Sequence, residues 1–235
     1  ISHKLDEVMA VSDRVTVLRG GRTVGTVNTR ETSTTDLASL MVGRSVEFNR
    51  VVRQVPAHRE KTVLDVRDLC AHDDRGRVAL ESVSLSVSPG EIVGIAGVAG
   101  NGQRELAEVI SGMRPITSGS ITVDGESVQS GRARSAIAKG IAHVPEDRLH
   151  TGLASNHSVE DNFALKNYRS MSRFRILQRQ KIRDQSTHLI ERYDIKTPGS
   201  ETPVRLLSGG NVQKVLLARE FSASPKVLIA ASPTR

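Results

Sequence analysis

The 235 residues carry 33 Lys and Arg against 26 Asp and Glu, a net charge of +7, and 37% of them are hydrophobic. This composition supports a buried core and excludes a disordered chain; no run of 18 uncharged apolar residues offers a transmembrane helix, and no signal-peptide pattern opens the sequence. Cys70 is the single cysteine, so no internal disulfide is available and a reducing compartment is the natural setting.

The excess of positive charge raises a nucleic-acid partner, but four Phe, two Tyr and no Trp leave little surface on which bases could stack. No nucleic acid is expected. The chain opens at Ile1 and stops at Arg235, soon after a strand-like VLIAA, and so reads as a piece of a longer protein.

Residues 5–11 read as a short helix. Residues 14–27 read as a hairpin, because Val15 and Val17 alternate against Val24 and Val27 around Gly20-Gly21. Thr35 to Val42 reads as a helix starting at Thr35 or Asp36 and stopping at Gly43. Between Ser45 and Glu60 the apolar pattern fails, which marks a linker.

A new unit follows. TVLDVRDL (62–69) alternates as a strand, and VALESVSLSVSPGE (78–91) is a second strand closing on Pro89-Gly90. EIVGIAG (91–97) is a short apolar run suited to a fully buried strand. It feeds GVAGNGQREL, after which Leu106, Val109, Ile110 and Met113 recur at helical spacing with Gly112 near the end. Residues 118–128 form a hairpin around Asp124-Gly125, and GIAHVPEDR (140–148) is a strand running into a loop at Pro145. Helical segments fill 158–193, residues 203–221 form a turn and a helix, and PKVLIAASPT (225–234) is a buried strand. The order describes an α/β nucleotide-binding domain with an inserted helical part. The densest basic stretch, Arg169 to Arg183, reads as a solvated helix face; the alternative is a patch facing acidic lipid head groups or a membrane partner.

Two segments carry chemistry. Gly97-Val98-Ala99-Gly100-Asn101-Gly102-Gln103-Arg104 has the backbone half of the phosphate loop G-x-x-x-x-G-K-[ST], between a strand and a helix. Its glycines let successive amides converge on phosphate oxygens, and the helix N-terminus adds partial positive charge. The chemical half is missing: Gln103 replaces the Lys, and Arg104 replaces the hydroxyl that ligates Mg²⁺. A hydrogen bond to a charged group is worth about 1.5–3 kcal/mol, so this loop is expected to bind nucleotide weakly and to place metal poorly. A tight turn without a ligand would use the same glycines.

Leu207-Ser208-Gly209-Gly210-Asn211-Val212-Gln213 opens a helix and sets a hydroxyl and free amides where they could hold a terminal phosphate. As a plain serine cap the segment would need no ligand.

With these residues the sequence resembles the ATP-binding-cassette (ABC) ATPases. SGGNVQKVLLAREF is similar to the family's signature motif, PKVLIAASPT to its Walker B strand, Ser2-His3-Lys4 to its switch-histidine motif, and VTVLRGGRTVG (15–25) to the hairpin that follows it. The likeness covers 2–44 and 62–235, and it implies a P-loop NTPase cassette with a RecA-like core, an antiparallel β subdomain and an inserted helical subdomain. In the family the switch histidine follows Walker B, whereas His3 precedes the glycine loop. The resemblance therefore implies that 1–44 is the tail of a first cassette, 45–60 a linker, and 61–235 most of a second, truncated after Walker B. A solvated histidine beside a helix start is the other reading of His3.

The second cassette departs from the family's active pattern. Ala231 stands where the metal-associated Asp would be and Ser232 where the catalytic Glu would be, neither able to support phosphoryl transfer. No Phe, Tyr or Trp occurs in 70–80 to stack on adenine, and Glu146 aligns with the family's loop Gln. Cassettes of this family pair head to tail. The resemblance then implies that His3, as a catalytic residue at the γ-phosphate, joins Ser208, Gly209, Gly210 and Gln213 in one hydrolytic site completed by the first cassette. The elements at 97–104 and 231–232 belong to a second, non-hydrolytic site. ATP and Mg²⁺ are the implied cofactors, the metal mainly at the hydrolytic site.

Glu146, Asp147 and Arg148 would form the contact loop for membrane permease subunits, which work with a solute-binding lipoprotein. The resemblance places such a protein in the cytoplasm, peripheral on the inner face of the plasma membrane, as the ATPase of a nucleoside or simple-sugar importer. This fragment alone is expected to be inactive. A soluble ABC ATPase acting in translation or DNA maintenance is an alternative, against which the short linker counts; a regulatory pseudo-ATPase is another. A dinucleotide-binding Rossmann enzyme would need a third glycine where Glu105 stands.

Overall fold

A computed structural model describes residues 4–43, 61–174 and 176–232, and the chain divides into two compact units between Gln54 and Val55. His3 and the expected linker 45–60 lie outside the described residues.

The first unit holds α1 (Leu5–Val11), β1 (Arg14–Arg19), β2 (Arg22–Asn28) and α2 (Thr34–Val42). β1 and β2 pair antiparallel with Arg19 opposite Arg22. Gly20 and Gly21 turn the chain between them at φ +57° and +75°, the paired positive φ values whose twist matches the strands. α2 begins one residue earlier than the spacing predicts, because Ser33 caps it. The Ser33 hydroxyl accepts the Asp36 amide at 3.1 Å and the Asp36 carboxylate accepts the Ser33 amide at 3.3 Å. Leu37 of α2 and Val17 of β1 are buried as the helix packs on the hairpin.

The second unit runs β3 (Leu64–His72), β4 (Val78–Val87), α3 (Gln103–Ile110), β5 (Ser118–Val123), β6 (Glu126–Ser127), α4 (Ala133–Ala138), β7 (Ile141–Val144), α5 (Val159–Asn167), β8 (Ser172–Arg173), β9 (Ile176–Leu177), α6 (Arg179–Arg192), α7 (Gly209–Ser222) and β10 (Val227–Ala230). One sheet is antiparallel, in the order β4-β3-β5-β6. β7 and β10 pair in parallel, Ile141 opposite Val227 and Val144 opposite Ala230.

The apolar face of α3 (Leu106, Val109, Ile110) packs in one core with Val66 and Ile121 of the antiparallel sheet and with Ile141 of the parallel pair. A second core joins the helices: Val159 and Phe163 of α5, Leu189 of α6, and Val212, Val215 and Leu216 of α7 close on Val144 at the end of β7. β7 thus reaches from one core into the other and holds the helical part against the sheets. No helix among the described residues is long and apolar enough to cross a membrane.

Three expectations are corrected. Residues 91–97 form no strand: Ile92, Val93 and Ile95 are exposed, Ile92 at 81%. An apolar run becomes a buried strand when strands flank it and layers cover both faces, and among the described residues the parallel sheet consists of β7 and β10. For the same reason 225–234 is not a buried strand throughout. β10 spans Val227–Ala230, with Val227 buried and Leu228 and Ala230 exposed. Finally, Arg169 to Arg183 is not one helix face. The first part forms the β8–β9 hairpin, and α6 starts at Arg179. Between α5 and α6 Met171 is buried in a small core with Ala164 and Ile182.

Candidate nucleotide site

The glycine loop at the start of α3 is closed by its own side chain. Gln103 Oε1 accepts the Asn101 amide at 3.1 Å, and Gln103 Nε2 donates to the Val98 carbonyl at 3.1 Å. The carboxamide lies so close to Gly97 that a Cβ there would come within 2.3 Å of Nε2. Gly102 precedes the helix at φ +91°, and a Cβ on it would meet the Ala79 carbonyl oxygen at 2.6 Å. Glycine is thus required at 102 by both approach and backbone conformation, whereas at 97 the neighbour is the movable end of the Gln103 side chain. Gly100 turns at φ +90°. The glycines do fold the segment into a loop, but the Asn101 amide is engaged inside it, by Gln103 Oε1 at 3.1 Å and by the Val98 carbonyl at 3.3 Å.

Arg104 turns away from the loop. Its Nε donates to Glu108 Oε1 at 2.7 Å, one turn along α3, and its Nη2 lies 3.6 Å from Asp74. Arg114 bridges the same two acids, at 2.6 Å from Asp74 and 2.7 Å from Glu108. The Glu108 hydrogen bond and charge hold the Arg104 guanidinium above its ordinary pKa.

The carboxyl ends of β7 and β10 bring a second set of sequence-predicted residues together, where open parallel sheets place ligands. The Ala231 amide donates to the Val144 carbonyl at 2.9 Å, which sets Ala231 and Ser232 beside the chain entering the loop 145–152. Asp147 organises that loop: its Oδ1 accepts the amides of Leu149 at 3.1 Å and His150 at 2.9 Å. The His150 amide is the leading cause that holds the Asp147 carboxyl below its ordinary value. A single wide turn follows over Arg148–Gly152, and Glu146 and Asp147 are exposed.

α7 carries the Ser208–Gly210 loop at its N-terminus. Ser208 is the N-cap by position, but its Oγ makes no cap bond and accepts Asn211 Nδ2 at 2.9 Å. Ser208, Gly209 and Gly210 are exposed, and nothing lies within 4 Å of a Cβ built on either glycine. The first amides of a helix have no partner within it, and here they belong to exposed residues without a side-chain cap, as an anion cradle requires. Gln213 is half-buried on the next turn.

The residues that tie α7 to the 145–152 loop were not singled out from the sequence. Arg219 Nη2 donates to the Gly152 carbonyl at 2.6 Å, and its Nε donates to Glu220 Oε1 at 3.0 Å. Glu220, 1% exposed, also accepts the His143 amide of β7 at 3.1 Å and the ammonium of Lys166 on α5. Burial pushes the Lys166 ammonium's pKa down while the Glu220 charge holds it up. A signal existed: Val212, Val215, Leu216, Arg219 and Glu220 fall at i, i+3, i+4, i+7 and i+8, so the two charges stand on the helix's apolar stripe.

The two segments differ in fit to nucleotide. The open amides at 208–210 suit a terminal phosphate. In the loop at 97–104 the Gln103 carboxamide and the Val98 carbonyl occupy the Asn101 amide. Mg²⁺ does not fit the second set: position 104 has no hydroxyl, Arg104 is committed to Glu108, and Ala231 has no carboxylate.

This is the cassette fold. A nucleotide-free ATP-binding cassette from an ABC transporter superimposes with a TM-score of 0.59 at 18% identity, covering 74% of this chain and 70% of that one. A post-hydrolysis cassette bound to ADP and Pi gives 0.59 at 20% identity, with 73% and 74% coverage. At such identities the likeness speaks for fold alone. The family profile described as ABC transporter matches residues 80–235, and the chain belongs to that family. Its relatives include the glucose import ATP-binding protein TsgD13 of Haloferax volcanii, 48% identical over all of this chain and 43% of that protein. The nucleoside import ATP-binding protein NupA of Lactococcus lactis is 40% identical over all of this chain and 46% of its own length. The guanosine import ATP-binding protein NupO of Bacillus subtilis is 42% identical over 96% of this chain and 44% of its own length. The chain thus spans a little under half the length of these curated relatives.

Proposed function

We propose that the chain is the middle of a tandem-cassette ATP-binding subunit of an ABC importer for a small solute, a nucleoside or a simple sugar. Residues 1–44 are the tail of a first cassette, 45–60 the linker and 61–235 most of a second. The division into two units and the 43–46% share of the two relatives matched over the whole chain support that layout. The relatives' names, glucose, nucleoside and guanosine import, support the solute class.

The observation that carries the reading is the Gln103 carboxamide inside its own phosphate loop. Expelling it costs two hydrogen bonds, about 0.5–1.5 kcal/mol each, and no cation at 103 takes its place at the phosphates. This half-site is non-hydrolytic. The open turn at Ser208–Gly210 serves the other site: the Ser208 hydroxyl and the Gly209 and Gly210 amides hold the γ-phosphate of an ATP bound by the first cassette, Gln213 supports the turn, and His3 contacts the same phosphate. The base for the attacking water and the Mg²⁺ ligands come from the first cassette. Glu146, Asp147 and Arg148 face the permease subunits on the cytoplasmic side of the membrane, and the solute-binding lipoprotein acts beyond it.

The test is ATP turnover by the full-length protein with its permease. His3→Ala and Ser208→Arg are each expected to abolish stimulated turnover, and Gln103→Ala to leave it near wild type. Turnover retained in Ser208→Arg overturns the shared site; a large loss in Gln103→Ala overturns the inert second site.

A further inference from the structure

The basic stretch from Arg169 to Arg183 holds six Lys or Arg and no acidic residue, and the nucleotide chemistry above leaves it unused. In its second half two of the three cations are paired with carboxylates. Arg179 pairs with Asp161 at 2.8 Å, Arg183 with Glu201 at 2.5 Å, and Lys181 donates to the Ser170 carbonyl. The first half is different. Exposed Arg169 lies 5.8 Å from the Tyr168 ring centre and donates from Nε to the Tyr168 hydroxyl at 3.2 Å, and exposed Arg173 lies 5.4 Å from the ring centre of Phe174.

These arginines flank bare apolar surface. Phe174 is 85% exposed, Ile176 72%, and Tyr168 and Leu177 are exposed beside them. The hairpin is firmly rooted: Met171 is buried against Ala164 and Ile182, the Gln178 amide donates to the Met171 carbonyl at 2.9 Å, and Ser172 pairs with Leu177 across β8 and β9. A rooted hairpin thus presents aromatic and aliphatic side chains beside Arg169 and Arg173, which form no ion pair among the described residues.

We propose that the β8–β9 hairpin docks on an anionic lipid bilayer, with Phe174 and Ile176 entering the head-group boundary and Arg169 and Arg173 meeting lipid phosphates. The charge is complementary to such a surface, and aromatic and arginine side chains are the residues that settle at it. The apolar groups are a few side chains on a narrow two-stranded tip. A stable protein interface buries about 800 Å² per partner, far more than this tip offers, whereas a bilayer needs no matching pocket.

The chain contains no Trp, so Phe174→Trp makes a single fluorescent reporter at the tip. Its emission is expected to shift to the blue with vesicles of phosphatidylcholine mixed with phosphatidylglycerol, and to stay unchanged with phosphatidylcholine alone. In co-sedimentation of the otherwise native chain, Arg169→Glu with Arg173→Glu should lower partition to the anionic vesicles roughly tenfold or more, given the contribution of each basic residue near such a surface. Phe174→Ser with Ile176→Ser should also lower it. The same charge reversal at Arg14 and Arg22, in the other unit, should cost markedly less.

Equal losses from both charge reversals would mean that the net +7 of the whole chain binds lipid, and would overturn the proposal. So would sedimentation with an unshifted reporter, or a shift produced by purified permease in detergent and absent with vesicles.

Discussion

Among the described residues Glu220 is the most deeply buried charged group, and removing it tests how the cassette is held together. Its carboxylate faces Lys166 of α5, Arg219 of α7 and the His143 amide of β7, with Lys166 20% and Arg219 8% exposed in their side chains. Glu220→Ala leaves two cations without a counter-ion and an amide without an acceptor. Breaking one side of a buried ion pair costs about 3–5 kcal/mol, and the orphaned amide adds about 1–3 kcal/mol. Against a total of roughly 5–15 kcal/mol that is a large share, and at ~2–4 °C per kcal/mol it lowers Tm by roughly 10 °C or more. Urea denaturation followed by far-ultraviolet circular dichroism reads the change directly. Lys166→Met should cost less, because Arg219 still pairs with Glu220. The double variant should cost less than the two singles summed, since it leaves fewer stranded charges. A Glu220→Ala midpoint close to wild type, or strict additivity, would refute the network as a structural tie.

Gly102→Ala is expected to lose about 1–3 kcal/mol of stability from its strained φ and its clash with Ala79. Gly209→Ala, with open space around it, should stay within about 0.5 kcal/mol; the same denaturation assay separates them. Gln103→Lys restores a charged donor and empties the loop, so calorimetric titration should show ATP binding at least about tenfold tighter; unchanged affinity would mean that Gln103 is not the block. Stability should also depend on pH through His143. Burial holds its imidazole below the ordinary 6.5, so the unfolded chain takes up that proton first as pH falls. The contribution is complete above 6.5 and declines below it. The urea midpoint should therefore drop between pH 7.5 and 5.5 in the native chain and drop less in His143→Gln.

The parts of the candidate site that reside in short contiguous segments were legible in the amino-acid order. Gly97, Gly100 and Gly102 announce a loop because their backbone freedom is local. Ser208-Gly209-Gly210 announces a helix start for the same reason, and the turns at Gly20-Gly21 and Asp124-Gly125 follow from the positive φ that those residues accept. What the side chains do there was decided elsewhere. The substitution of Gln103 for lysine could be read, but not that its carboxamide folds back onto Asn101 and Val98. Glu220 meets His143 and Lys166 from 77 and 54 residues away, a distance across which no spacing rule reaches.

The apolar run 91–97 shows the limit from the other side. Its composition determined that it would favour burial, yet composition cannot supply the neighbouring strands that burial needs, and Ile92 and Ile95 remain exposed. Likewise the charges of Arg169–Arg183 were fixed by the chain itself, while the tertiary structure decided that Arg179 and Arg183 meet the carboxylates of Asp161 and Glu201. Backbone conformation at Gly and Ser is set within a few bonds. Burial, pairing and charge compensation are properties of the surroundings, and those exist only once the tertiary structure has formed.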